Sequence, residues 1–334
     1  MLTKQCNLHC SYCFANEFVN KQSDIMSFEQ FEACLRFLSS DPRERIGLIG
    51  GEPTLHPDLK RMLGALIDSP FQSVCLFTNG ILVDRYFNEL RNSKFQILIN
   101  LNSQEQIGAA HYGKIMDNLD QMINRLYMRD QVGLGLNLYD PNMDFSYMIE
   151  VLKRFRQKKL RISVAVPNLE GNRQVDPLAY FKSMKPLVRS LLEQLLEIDV
   201  APNFDCNYIP SCLLEPSDLE LFQTYQTTME RSNLNRINPI CSPVLDILPD
   251  LQVVRCFGMS DLYKVSLMDF QNTEELRRHF LLEVDAPAYH ILPNEACAQC
   301  RQYLSGKCSC GCYAYRTHRL KALRQTLKEQ GIQP

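Results

Sequence analysis

No stretch of the 334-residue chain is apolar for long enough to span a bilayer. No basic start followed by an apolar stretch marks it for export, and the first residues run straight into Cys6. Charge of neither sign dominates. The formal balance of −2 gives no reason to expect nucleic acid or a membrane as partner. Internal repeats and low-complexity segments are also missing. What remains is an ordinary globular balance, 45% apolar and 22% charged, enough for one large domain and a smaller one.

The residue in excess is cysteine, 14 in all. Without an export signal these are not read as disulfides. In a reducing cytoplasm, clustered cysteines read as metal or iron–sulfur ligands. Three fall within residues 6–13 and five within 297–312, while Cys34 and Cys75 stand alone and read as apolar packing.

The first 166 residues alternate between β-rich runs and helical patterns. Strands are predicted at residues 1–4, Ile46–Ile49, Ser73–Phe77, Phe95–Asn100, Val132–Leu138 and Leu160–Val166. Helices are predicted near 27–38, 58–66, 82–91, 115–128 and 144–156, with Ser27 and Gln30 as a capping box. Such alternation argues for a parallel sheet. About six β/α units are too few for a closed eight-stranded barrel, so an open partial (β/α)6 barrel is expected. A long helix over 177–198 follows, and Pro202 is read as the break after which β/α alternation stops. The division is therefore drawn at 1–200 and 201–334. The second part is expected to hold a helix at 217–232 and a hairpin of Val244–Leu248 and Gln252–Cys256 turning at Pro249–Asp250. A helix near 272–282 and a last helix at 313–330 complete it.

Cys6-x3-Cys10-x2-Cys13 is the strongest motif. Three thiolates in one short loop can hold three irons of a cubane and leave the fourth open for chemistry. A structural zinc loop would need a fourth ligand, for which His9 is the only local candidate. The motif resembles that of radical S-adenosylmethionine (SAM) enzymes. The resemblance implies a [4Fe–4S] cluster whose open iron chelates SAM and cleaves it to a 5′-deoxyadenosyl radical, which abstracts hydrogen from a substrate. Tyr12 occupies the family's aromatic position beside the last cysteine, an implied adenine contact. Gly50-Gly51-Glu52-Pro53 resembles the family's GGEP motif, implying that backbone and Glu52 meet the methionine amino group. Thr78-Asn79-Gly80 ends the next strand. Asn100, Asn102, Ser103 and Asn137 at later strand ends are implied SAM ribose and carboxylate contacts, though Asn and Ser also serve turns and caps.

Cys297-x2-Cys300-x7-Cys308-x3-Cys312, with Cys310 between, is preceded by Cys241-x14-Cys256. Together they resemble the SPASM extension of radical SAM enzymes, implying a small cysteine-rich α+β domain with one or two auxiliary [4Fe–4S] clusters. The chain departs from that pattern in three ways: a loop after Cys300 two residues longer, Leu251 in a glycine position, and no cysteine after Cys312. By resemblance Cys241, Cys256 and Cys312 hold one cluster, with Cys212 or Cys206 as fourth ligand, and Cys297, Cys300 and Cys308 hold the other. Cys310 is expected to replace the missing final ligand. A zinc ribbon is the competing reading. In the last helix Arg316, His318, Arg319, Lys321, Arg324 and Lys328 read as a solvated face over a stripe of Leu320, Leu323 and Leu327.

The expected function is that of a cytoplasmic radical SAM oxidoreductase maturing a ribosomally made peptide or protein side chain. A dehydrogenase of a small metabolite and a non-catalytic iron–sulfur or zinc protein are the alternatives. The expected partners are the peptide or protein substrate and an electron donor such as flavodoxin or ferredoxin. The start so close to Cys6 leaves no leader-binding domain ahead of the barrel, so a separate partner would bind a leader. Asp246, Asp250, Cys206 and Tyr263 are the candidate proton acceptors.

Overall fold

Each short apolar run pairs with the next one along the chain. In a computed structural model these form one parallel sheet in sequential order. Its strands are β1 (Ile46–Leu48), β2 (Val74–Thr78), β3 (Phe95–Asn100), β4 (Val132–Leu138), β5 (Lys159–Val164) and β6 (Ala201–Phe204). The structure describes residues 1–332 except 14, 16–18, 21–23, 42–44, 167–174, 206, 208, 230–240, 242–243 and 260–262. Parallel neighbours need a crossover between every pair. Helices Leu59–Ile67, Ala109–Asp120, Ser146–Phe155 and Pro177–Glu197 lie in four of these connections, and a short turn of helix, Phe87–Leu90, lies in another. β1 and β6 are the two edges, so the barrel is open.

The period of two along each strand divides the sheet faces. Val74, Leu76, Ile97, Leu134, Ile162 and their neighbours are fully buried in the core. The other face carries Cys75, Asn100, Asn137, Arg161 and Ser163, all half-buried. Cys75 is therefore on the inner face and not in the apolar packing expected for it, whereas Cys34 is buried in the core.

The count of six strands is as expected, but their membership differs. Residues 1–4 form no strand. Thr3 makes one isolated bridge to Ile25, and the Leu2 N–H donates to Ile49 O (2.7 Å). The sixth strand is Ala201–Phe204, which contains Pro202. Proline cannot donate to a ladder, but an edge strand needs only one bonded side, so the residue read as a breaker is accommodated there. The helix expected at 115–128 begins earlier, at Ala109, and ends in a π turn at Gln121–Arg125. Ser27 and Gln30 do form the capping box of Phe28–Leu38.

Beyond helix Pro216–Thr228 the hairpin forms as β7 (Asp246–Ile247) and β8 (Gln252–Val254), and an unexpected β9 (Val265–Ser266) joins it antiparallel. Helices Thr273–Phe280 and Ala314–Glu329 match the pattern. The last helix does not pack by its leucines. Leu320 is buried, but Leu323 is exposed, and Arg316 is 0% exposed. The Lys321 side chain lies outside the described atoms. Phe181 of the long helix meets Tyr315 edge-on at 6.3 Å, and both belong to the core cluster that also contains the sheet residues. Among the described residues no helix is long and apolar enough to cross a membrane.

Candidate functional site

All six strands point the same way, so their C-terminal ends share one side of the sheet, where β/α folds bind ligands. The Cys6–Cys13 loop is fastened there, one strand end at a time. At the end of β1, the Gly51 N–H donates to Thr3 O (2.8 Å) and the Glu52 N–H to Gln5 O (2.7 Å). A Cβ on Gly50 would lie 2.8 Å from Thr3 O, and one on Gly51 would overlap the Gln5 carbonyl. The double glycine is thus required by the segment leading into the cysteine loop. At the end of β2, Asn79 Nδ2 donates to Asn7 Oδ1 (2.7 Å). At the end of β3, Asn102 Nδ2 donates to Cys10 Sγ (3.4 Å) and its Oδ1 accepts from the Tyr12 hydroxyl (2.5 Å). The Tyr12 ring stacks on Tyr139, just past β4, with centroids 4.8 Å apart.

Glu52 is 1% exposed. Its Oε1 accepts from the Thr54 N–H (3.0 Å), the Thr54 hydroxyl (2.7 Å) and the Thr78 hydroxyl (2.7 Å), and its Oε2 from the Asn79 N–H (2.7 Å). The carboxylate implied as an ammonium contact is therefore engaged chiefly in joining the ends of β1 and β2, with one acceptor position left on Oε2. Pro53 opens a turn of 3-10 helix. Ser103 is the N-cap of helix Gln104–Ile107.

Asn100 and Asn137 converge on Arg161, a residue that sequence reasoning missed. Arg161 Nη1 donates to Asn137 Oδ1 (2.8 Å) and lies 3.4 Å from Asn100 Oδ1, and Nη2 pairs with Asp205. A Cβ on Gly135 would lie 2.6 Å from Asn100 Oδ1, so the glycine makes room for that amide. The signal available in the sequence was the alternation of Lys159, Arg161 and Ser163 with Leu160, Ile162 and Val164.

Cys6, Cys10 and Cys13 are mutual electrostatic neighbours. Burial, opposed by the Leu8 N–H, pushes the Cys6 thiol up to about 11, with Glu52 and the other two cysteines adding to it. Burial also raises Cys10 and Cys13. His9 is exposed. Among the described residues no three His, Cys, Asp or Glu side chains converge where a single metal ion would sit. A cubane's thiolates bind separate irons, and three thiols in one short loop are a donor set that such a cluster takes. Hydrogen bonds to the sulfurs, from the Leu8 N–H to Cys6 (3.4 Å) and from Asn102 to Cys10, are of the kind that tunes such clusters.

The C-terminal cysteines reach the same end of the sheet. Buried Asn207 donates to Val164 O at the end of β5 (2.7 Å) and accepts from the Cys312 N–H (3.2 Å). Cys297, Cys300, Cys308 and Cys310 gather together, and Cys212 is an electrostatic neighbour of all four. Cys212 thus joins the group from which the resemblance had separated it. Cys241 and Cys256 form a second group, with Arg255 Nη1 3.4 Å from Cys241 Sγ. Cys312 is buried in the main core, against which Cys241 and Cys256 also pack, and its Sγ accepts from the Ala314 N–H (3.4 Å). Cys206 lies outside the described residues. Asp250 is on the β7–β8 turn, Asp246 accepts from the Phe257 N–H (3.0 Å) and neighbours the N-terminal amine, and Tyr263 pairs with Arg324.

A family model described as the radical SAM superfamily matches residues 1–171, half of the chain. The chain belongs to the radical SAM superfamily. Its cofactors are accordingly SAM and a [4Fe–4S] cluster, and Cys6, Cys10 and Cys13 are the residues present that fit the cluster. The chain is also similar to GTP 3′,8-cyclase of Synechocystis sp., at 27% identity over 41% of this chain and 42% of that protein. To GTP 3′,8-cyclase of Acidothermus cellulolyticus it is 34% identical, over 35% and 33% of the two chains. To Molybdenum cofactor biosynthesis protein 1 of Bos taurus it is 26% identical, over 45% and 26%. The chain spans less than half the length of each of these relatives.

Proposed function

We propose that this radical SAM enzyme directs its radical at a small polar metabolite, in place of the peptide side chain first expected. The observation that carries the reading is the inner face of the sheet. Asn100, Asn137 and Arg161 form a compact polar floor there, on β3, β4 and β5, the first two of which also meet the cysteine loop at their C-terminal ends. Relatives named for GTP cyclisation and for molybdenum cofactor biosynthesis support a small-molecule substrate. They do not single out GTP for this chain, which spans less than half the length of each of them. We extend the proposal to a division of the chain after β6, with a C-terminal part that holds an auxiliary cluster on the Cys297 group.

When bound, the cluster and SAM supply the hydrogen-abstracting radical. The chain's own residues position them. The strand-end contacts hold the cysteine loop at a fixed height above the sheet. Tyr12 and Tyr139 wall one side, and Asn100, Asn137 and Arg161 offer amide and guanidinium groups to orient a polar substrate. An external one-electron donor, a flavodoxin or ferredoxin in this reading, is needed for cleavage.

The test is 5′-deoxyadenosine formation by the anaerobically reconstituted, reduced enzyme. GTP, the ultrafiltered small-molecule fraction of a cell extract and the protein fraction of the same extract are added separately. At least tenfold stimulation by GTP or by the small-molecule fraction is expected. Stimulation by the protein fraction alone would overturn the reading in favour of peptide modification, the alternative that the C-terminal cysteines support by their resemblance to SPASM.

A further inference from the structure

We propose that Arg316 is the built-in counter-charge of an auxiliary iron–sulfur cluster on the Cys297–Cys300–Cys308 group, and that it raises that cluster's reduction potential. The inference rests on reading those thiols as cluster ligands. Arg316 is unfavourably placed on three counts unless an anion lies beside it. It is 0% exposed, although its helix pattern puts it on a solvated face. Among the described residues no carboxylate pairs with it, and its Nε and Nη1 are buried without a hydrogen-bond partner. It also stands in the first turn of helix Ala314–Glu329, where the helix dipole has its own sign. A buried, unpaired guanidinium costs more than most single interactions return.

Its surroundings hold it rigidly. Nη2 donates to Ser309 O (2.7 Å), the carbonyl next to Cys308. The guanidinium carbon lies 4.8 Å from the Tyr303 ring centroid, 4.9 Å from Tyr313 and 5.6 Å from Tyr289. Tyr289 and Tyr303 are stacked, and each hydroxyl donates to the other's carbonyl, at 3.1 and 2.9 Å. Three aromatic faces compensate a cation only in part. Cys297 and Cys308 are its electrostatic neighbours.

The second buried arginine provides the contrast. Arg255 is equally buried, faces the opposite cysteine pair and stacks on the same Tyr313 ring at 4.8 Å. It is neutralised by Asp285, whose Oδ2 lies 3.1 Å from Nη2, and its Nη1 lies 3.4 Å from Cys241 Sγ. Arg316 has no such carboxylate, so the missing negative charge must arrive with whatever its neighbouring thiols bind. A cubane held by four thiolates carries net negative charge. A fixed cation beside it favours the extra electron of the reduced state and so raises the potential.

The experiment uses the full-length chain with Cys6, Cys10 and Cys13 replaced by alanine, reconstituted anaerobically, so that only C-terminal iron contributes. Iron, sulfide and zinc contents and an EPR-monitored redox titration are recorded for this protein and for its Arg316→Gln and Arg316→Lys variants. Arg316→Gln is expected to lower the reduction constant at least tenfold, about 59 mV for one electron, while Arg316→Lys stays within threefold. Melting temperatures add a reading that crosses sign. Arg316→Gln should leave unchanged or raise the metal-free value, because an uncompensated charge is gone, and should lower the loaded one. An unchanged potential with iron retained, a tenfold drop in Arg316→Lys, or a lower metal-free melting temperature for Arg316→Gln would overturn the proposal. If Arg316→Gln does not fold at all, the Lys variant's potential and melting temperatures decide. Zinc in place of iron and sulfide would overturn the cluster reading itself, which SAM cleavage by the wild-type enzyme tests separately.

Discussion

Replacing Glu52 by glutamine separates two accounts of the Gly-Gly-Glu-Pro segment. In the structure the carboxylate accepts four hydrogen bonds, three on Oε1 and one on Oε2, at 1% exposure. Glutamine keeps the shape. Its best orientation turns the amide oxygen toward the three donors and points its NH2 at the Asn79 N–H. One charge-assisted bond is lost and two donors face each other, a cost of about 1–3 kcal/mol. Glu52→Ala strands two backbone N–H groups, of Thr54 and Asn79, that cannot rotate away as the hydroxyls can, and costs about 4 kcal/mol. For a chain of this length each kcal/mol moves the melting temperature by about 2 °C, so drops of about 2–6 °C and about 8 °C are expected. Circular dichroism melts of the metal-free proteins measure both, and the SAM KM is measured in parallel. If Glu52→Gln melts within about 1 °C of wild type while its SAM KM rises tenfold or more, the carboxylate serves the ligand and the structural reasoning fails.

Three further outcomes follow from the same geometry. Replacing Cys6, Cys10 and Cys13 together by alanine should abolish 5′-deoxyadenosine formation yet leave iron on the C-terminal thiols, and undiminished cleavage would contradict the site. Gly51→Ala places a methyl group against the Gln5 carbonyl. It should destabilise the protein by about 1–3 kcal/mol and remove about four irons per chain, so full iron content by chemical analysis would show that the close approach is not required. At Asp218, burial alone pushes the pKa up, but the Glu215 N–H, Lys185 and Arg189 outweigh it and hold the folded-state value below the ordinary one. Its contribution to stability is then present above the unfolded value of about 4 and lost as pH falls through the folded value. Asp218→Asn should lower the melting temperature at neutral pH and flatten its fall between about pH 5 and pH 3, and an unchanged acid limb would refute this.

The sequence by itself determined what local patterns control. The spacing of Cys6, Cys10 and Cys13 pointed to the superfamily because a cluster loop of the kind proposed needs its ligands close along the chain. β3 and β4 fall at the predicted residues because apolar side chains alternating with Gln96, Leu98 and Asn100 in one, and with Gly133, Gly135 and Asn137 in the other, carry the period of a strand. The tertiary structure decided whatever depends on partners distant in the chain. Pro202 could stand in a strand only because that strand is an edge. The Glu52 oxygens met donors from the end of another strand, 26 and 27 positions away. Cys212 faced Cys297, Cys300 and Cys308 across 84 to 95 intervening residues, a pairing that no spacing rule contains. Arg316 reads as a surface residue from its helix, and only the packing of Tyr289, Tyr303 and Tyr313 around it turned it into a buried cation beside the thiols. Helical periodicity records which face of a helix is apolar on average, but it cannot register a single charge that the fold buries for the sake of another.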